Sequence, residues 1–188
     1  MTRLLAAAIG AVTALTLVSP TAHAEPLYGG QGPERAATSN DATRAAPITR
    51  REVIARAKDW LDPPVPYSMG AWHEGRRTDC SGYVSMAWNL DSSMTTVSLP
   101  DVAHRIEKDE LRAGDVMMNG GPGSGGANGH VAIFDRWAGH DHDTYWAYEQ
   151  TPPHTVHRKV PYPYFDNDTR FLPYRYNLIE DSPFPQRP

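Results

Sequence analysis

The chain has 188 residues, 40% of them hydrophobic and 21% charged, and 18 Lys and Arg against 22 Asp and Glu give a formal charge of −4. That length fits one domain of ordinary size, and the charge excludes broad capture of a nucleic-acid backbone, which needs a basic excess. The single cysteine excludes an intrachain disulfide framework and any centre built from several thiolates.

Residues 1–24 read as a secretory signal peptide. Arg3 supplies a positive start, residues 4–18 are almost wholly apolar, and Ala22-His23-Ala24 is a small-x-small cleavage signature. The apolar run falls short of the roughly 20 residues that a membrane span needs. No second such run follows, so the mature protein is expected to be secreted, extracellular or in the cell envelope, with no membrane association after cleavage. Residues 25–47 are rich in Gly, Pro, Ala, Ser and Thr without apolar period, and read as a flexible linker. A folded domain is expected over 48–181 and a short C-terminal tail over 182–188.

Thr49 and Glu52 form a capping-box pair, with Ile48 and Val53 as its hydrophobic staple. The helix they open places Val53, Ile54, Ala57, Trp60 and Leu61 on one face, and Pro63-Pro64 stops it. After a loop, Asp79 is a good N-cap for a second helix, with Cys80 in its first turn and Val84, Ala87 and Trp88 sharing a face. A polar, loop-like stretch runs to Leu111. Strands are predicted over 115–118, 130–137 and 144–150, with 156–160 as a weaker fourth. The Gly-rich connector 119–129 lacks the Lys-Ser/Thr that would make it a phosphate loop. The Pro- and Tyr-rich segment past Pro161 is expected to wrap the domain as irregular structure. Helices first and strands after give an α+β domain with an antiparallel sheet.

An exported chain keeps a lone thiol as a buried inert group, for an intermolecular partner, or for its reactivity. Cys80 at a helix start lies where unpaired N–H groups and the macrodipole favour a thiolate, the form that attacks. A nucleophile of this kind needs a base and a third group to hold that base. His130 begins an apolar strand directly after the mobile connector, and it is the candidate base.

Pro66-Tyr67-Ser68-Met69-Gly70, Thr78-Asp79-Cys80-Ser81-Gly82-Tyr83, Leu111-x-x-Gly114-Asp115-Val116 and Gly129-His130-Val131-Ala132-Ile133 follow one another in the order of motifs in NlpC/P60 cysteine peptidases. The resemblance spans residues 48–151, and the related CHAP amidases share its cysteine and histidine logic. It implies a papain-like fold and a cysteine peptidase or amidase that cuts amide bonds in peptidoglycan stem or crosslinking peptides, without metal or organic cofactor. Cys80 would then attack the carbonyl, His130 would be the general base, and Tyr67 would lie beside the nucleophile near the oxyanion site. Asp79 and Ser81 would help bind the free amino end of the peptide, although both also suit helix capping.

The third catalytic position departs from the commonest family pattern, which has His there. The strand Tyr145-Trp146-Ala147-Tyr148-Glu149-Gln150-Thr151 has none, and its ending resembles the CHAP-like use of Glu. Glu149 could accept the imidazole N–H and offset its charge; Gln150, the alternative, could only orient the ring. Strand alternation lets one of the two serve. Met69 stands where the family usually has Trp.

Other signals have plainer readings. His140-Asp141-His142-Asp143 carries metal-ligand types but reads as a solvated hairpin tip, and His154-x-x-His157 is interrupted from it by Pro152-Pro153. The aromatics Tyr162, Tyr164, Phe165, Phe171, Tyr174 and Tyr176 are expected to cover the edges of a small core, and residues 105–110 to form a solvated face. Two alternatives stand beside the wall hydrolase: a non-catalytic cell-wall- or metal-binding module on the same fold, and a papain-like enzyme with a non-wall amide or acyl substrate. The protomer is expected to be a monomer.

Overall fold

The computed structural model describes residues 46–181. The expected signal peptide, nearly all of the linker and the tail 182–188 lie outside the described residues. Thr49 opens α1 (Arg50–Asp59) with the anticipated reciprocal cap: its N–H donates to Glu52 Oε2 at 2.9 Å, and its hydroxyl accepts from the Glu52 N–H at 3.3 Å. The flanking β1 (Ile48–Thr49) pairs in parallel with β10 (Ile179–Glu180), which ties the two ends of the described domain together. Ile48 and Val53 are both buried in the same core, as a staple requires.

The second helix, α2 (Cys80–Ala87), follows a small hairpin of β2 (Trp72–His73) and β3 (Arg76–Arg77). The sequence suggests a one-sided helix, but every residue of α2 is buried. Small and hydroxylated side chains make that possible. The Ser85 hydroxyl donates to the Ser81 carbonyl at 2.7 Å and accepts from the Met94 N–H at 2.9 Å, so burial leaves it partnered. Gly82 is needed for close approach, since a Cβ there would fall 2.1 Å from the Arg77 carbonyl oxygen.

Six strands make one antiparallel sheet in the order β4 (Ala103–Arg105), β9 (Leu172–Tyr176), β5 (Val116–Asn119), β6 (His130–Trp137), β7 (Thr144–Thr151), β8 (His154–Pro161). The three predicted central strands agree with β5, β6 and β7 to within a residue or so, and the weaker fourth extends to a full eight-residue strand, β8. Two expectations are corrected. Part of the C-terminal segment, expected to be irregular, supplies the interior strand β9 between β4 and β5. Part of the expected solvated loop is the edge strand β4.

The sheet is covered on both faces. Val131, Ile133 and Tyr148 pack with the helices in one core, and Ala132, Phe134, Tyr145 and Ala147 pack with Tyr164 and Phe171 in a second. The aromatic segment past β8 therefore roofs a whole face rather than an edge. A bulge at Asp135 shifts the β6–β7 register and brings Trp137 onto the Phe134 side, ring centroids 5.1 Å apart. Buried Asp115 gathers Arg50 of α1 at 2.8 Å and Arg175 of β9 at 2.9 Å, which pins the first helix to the sheet. No helix among the described residues is long and apolar enough to cross a membrane.

Candidate active site

Cys80 opens α2 directly after its cap. The Asp79 carboxylate accepts from the Gly82 N–H at 2.7 Å, and the Arg77 Nε donates to it at 2.5 Å. Arg77 also donates to the Ser81 hydroxyl at 3.0 Å and to the Met94 carbonyl at 2.8 Å. Arg77, Asp79 and Ser81 are all fully buried. The resemblance places Asp79 and Ser81 at the substrate's amino end; in the structure both turn inward to Arg77 and brace the helix. Arg77 has no role in the sequence reading, yet it organises this corner.

The Cys80 sulfur lies against the backbone of Val131, the residue after His130, so α2 delivers the thiol to the first residues of β6. The sulfur is buried, and its pKa is raised well above its ordinary value, first by desolvation and then by the Asp79 charge. The Val131 and Ser81 backbone groups and Arg77 oppose that shift without reversing it. Burial therefore works against the thiolate that the helix start favours.

His130 and Glu149 are brought together. The His130 Nε2 is 2.6 Å from Glu149 Oε1, with both side chains buried. Glu149 has two further partners that sequence reading did not single out. Arg158 of β8 donates from Nε to Oε2 at 2.6 Å, and the Tyr164 hydroxyl donates to Oε1. Burial would raise the Glu149 carboxyl, but the hydrogen bond and charge of His130 and the charge and hydrogen bond of Arg158 hold it down at about 2. The His130 ring lies 5.6 Å from that of Tyr164 and 6.1 Å from that of Phe171, so the aromatic roof also covers the imidazole.

Gln150 faces the other way, as alternation demands. Its amide nitrogen donates to the carbonyls of Val65 and Thr78 at 3.2 and 3.1 Å, and its oxygen accepts from Thr155 at 2.9 Å. It therefore fastens the segment before Cys80 to the sheet and does not touch His130. Tyr67, half-buried, sits in that fastened segment: its N–H donates to Pro153, and the next N–H, of Ser68, donates to Thr78, each at 3.0 Å. Met69 in the same loop is exposed.

The His-rich turn stands apart. His140, Asp141 and Asp143 are exposed between β6 and β7, and His142 stacks on Trp137 with centroids 4.4 Å apart. His157 is on β8, 3.0 Å from Asp135. Among the described residues, no group of three or more His, Cys, Asp or Glu could hold a metal ion.

The site thus comprises a buried cysteine at a helix start, packed against the first residues of a strand whose leading histidine is bonded to a carboxylate, within an α+β domain. The NlpC/P60 family model matches residues 64–158, which holds α2, β5, β6, β7 and most of β8. The chain belongs to the NlpC/P60 family, and its α+β architecture is that family's fold. The family generally comprises cysteine peptidases and amidases. The chain is also similar to an NlpC/P60 family protein from Bacillus cereus ATCC 10987 of known crystal structure, at 16% identity and a TM-score of 0.46. That similarity covers 73% of this chain and 43% of the other, so this chain spans less than half of that protein. No curated protein matches the chain.

Proposed function

We propose that the mature chain is an exported cysteine hydrolase, a peptidase or amidase, that cleaves amide bonds of peptidoglycan stem or crosslinking peptides. The observation that carries this reading is the convergence at the start of β6, where a helix-start cysteine meets the backbone beside a carboxylate-bonded histidine. Family membership supports the reaction class.

In this reading Glu149 holds Nε2 of His130, which leaves Nδ1 as the basic nitrogen. Because burial holds the thiol up, proton transfer from Cys80 to the imidazole accompanies attack on the substrate carbonyl and does not precede it. Backbone N–H groups beside Cys80, with Tyr67 close by, stabilise the resulting oxyanion. Collapse breaks the C–N bond and passes the proton from the imidazolium to the leaving amine. A water molecule, deprotonated by the same ring, then hydrolyses the thioester and restores the thiol. No cofactor enters this sequence. Asp79 and Ser81 are assigned no contact with substrate, since both are committed to Arg77 and the helix cap.

The test is mass spectrometry of muropeptides incubated with the mature chain and with Cys80→Ala. New fragments from the first and none from the second support the proposal, and equal cleavage by both rejects it. N-terminal sequencing of the exported protein checks cleavage after Ala24. One observation favours a second reading, a wall-binding module that keeps the fold without turnover: Cys80 and His130 are both fully buried. Saturable binding of muropeptides with no fragments from the intact chain would establish that reading instead.

A further inference from the structure

The proposed mechanism asks Glu149 to orient His130, yet a glutamate carboxylate at the end of a strand side chain turns easily about its last torsion, which is broad and roughly two-fold. A buried carboxylate also offers about four acceptor positions that need filling. In this chain they are filled from three separate elements. His130 approaches Oε1 from β6, Arg158 donates to Oε2 from β8 at 2.6 Å, and the Tyr164 hydroxyl donates to Oε1 from the aromatic roof.

The two unassigned partners are themselves held in place. The Tyr164 ring stacks on Phe171 with centroids 4.0 Å apart and planes 9° apart. The Arg158 guanidinium lies 4.7 Å from the Phe165 ring centroid, and its Nη2 donates to the Tyr164 hydroxyl at 3.4 Å. Phe165 and Phe171 both follow Tyr164 within seven residues, so one short segment supplies the hydroxyl and both supporting rings.

We propose that Arg158 and Tyr164 are positioning residues that clamp both oxygens of Glu149 and keep Oε1 on His130. The inference rests on the catalytic reading above and deepens it, because neither residue belongs to the expected triad. The groups facing Glu149 are His130, Arg158, Tyr164 and, on its own strand, Tyr145. Of these Arg158 alone is a cation at every working pH. It therefore supplies the fixed charge that keeps a buried carboxylate in its acceptor form, while Tyr164 fixes which oxygen meets the ring.

Three variants test this: Arg158→Met, Arg158→Lys and Tyr164→Phe. The first readout is the carbon-13 titration of the Glu149 carboxyl in glutamate-labelled protein, identified by its loss in Glu149→Gln. The second is kcat and KM for muropeptide cleavage. Removal of an adjacent opposite charge moves a carboxyl by roughly 1–3 pH units. Arg158→Met is therefore expected to raise the Glu149 midpoint by that much from its value of about 2. Its kcat should fall on the order of 10-fold or more, as for other outer-shell partners of a working histidine, with KM within two-fold. Arg158→Lys should restore most of both. Tyr164→Phe keeps the ring on Phe171 and should lower kcat while KM holds. An unchanged Glu149 midpoint in Arg158→Met overturns the clamp, as does wild-type kcat in both Arg158→Met and Tyr164→Phe. If the wild-type chain cleaves nothing, the proposed reaction fails, and the carbon-13 midpoint alone then decides the clamp. Should Arg158→Met not fold, Arg158→Gln, which also removes the charge, carries the same comparison.

Discussion

Replacing Glu149 with Gln tests whether the buried carboxylate is ionised through its partners. Its folded pKa is about 2, against 4.5 for the ordinary group. The sign follows from linkage: a depressed carboxyl stabilises the fold above the unfolded value, and the contribution disappears as pH falls through the folded one. A shift of this size corresponds to about 3 kcal/mol at pH 7, with about 2 kcal/mol of it gone by pH 3. Glu149→Gln keeps the shape and removes the titration. Urea unfolding of both proteins at a series of pH values from 7 to 3 isolates the effect, because the other carboxylates are common to both. The wild-type curve should fall about 2 kcal/mol further than the variant's over that range. Parallel curves would refute the reasoning, since they would mean that Glu149 titrates alike in the folded and unfolded chains.

Other outcomes follow from the same geometry. Gly82→Ala drives a Cβ to 2.1 Å from the Arg77 carbonyl oxygen and should cost about 3 kcal/mol, or roughly 10 °C in melting temperature; a melting temperature within 2 °C of wild type would show that α2 shifts freely. Arg77→Met leaves the fully buried Asp79 charge without its cation and should destabilise by roughly 3–5 kcal/mol in chemical unfolding. Alkylation of Cys80 by iodoacetamide should accelerate only as pH passes above the ordinary 9.0, whereas the urea-unfolded chain should titrate normally; a plateau of rapid labelling between pH 5 and 8 would contradict the buried-thiol reading.

Local signals on the chain carried most of the fold. The Thr49–Glu52 cap, the Asp79 cap and the short apolar or aromatic runs of β5 to β7 are short-range features, each set by a few neighbouring residues. Residues 172–176 failed that test because Pro173 removes a donor and interrupts the apolar period, which argues against a strand. In the sheet the gap is tolerated: the Pro173 carbonyl accepts from the Ile106 N–H at 3.1 Å, and Leu172 and Tyr174 align with Met118 and Val116 of β5. The all-round burial of α2 was hidden for a related reason. Its serines look like an exposed face until Ser85 is seen to bond Ser81 and Met94.

At the site, the residues legible in sequence are those whose position along the chain already limits their chemistry: a thiol one residue after a cap, an imidazole at the head of an apolar strand, and Glu149 and Gln150 on opposite faces. The choice between those last two is a matter of which face holds His130, and periodicity alone does not say. Arg77 and Arg158 are long side chains whose ordinary place is the surface, and nothing local ties either of them, or the Tyr164 hydroxyl, to a buried acid. Each is drawn inward by a buried carboxylate that has to be matched once it leaves water: Asp79 for Arg77, and Glu149 for Arg158 and Tyr164. A sequence signal does exist in retrospect. Two acids in segments otherwise reading as core, Asp79 beside Cys80 and Glu149 within an aromatic strand, each imply a cation or donor somewhere else in the chain. Counting such buried acids and asking what must answer them would have pointed to an Arg on the neighbouring strand and to a hydroxyl in the tyrosine-rich segment.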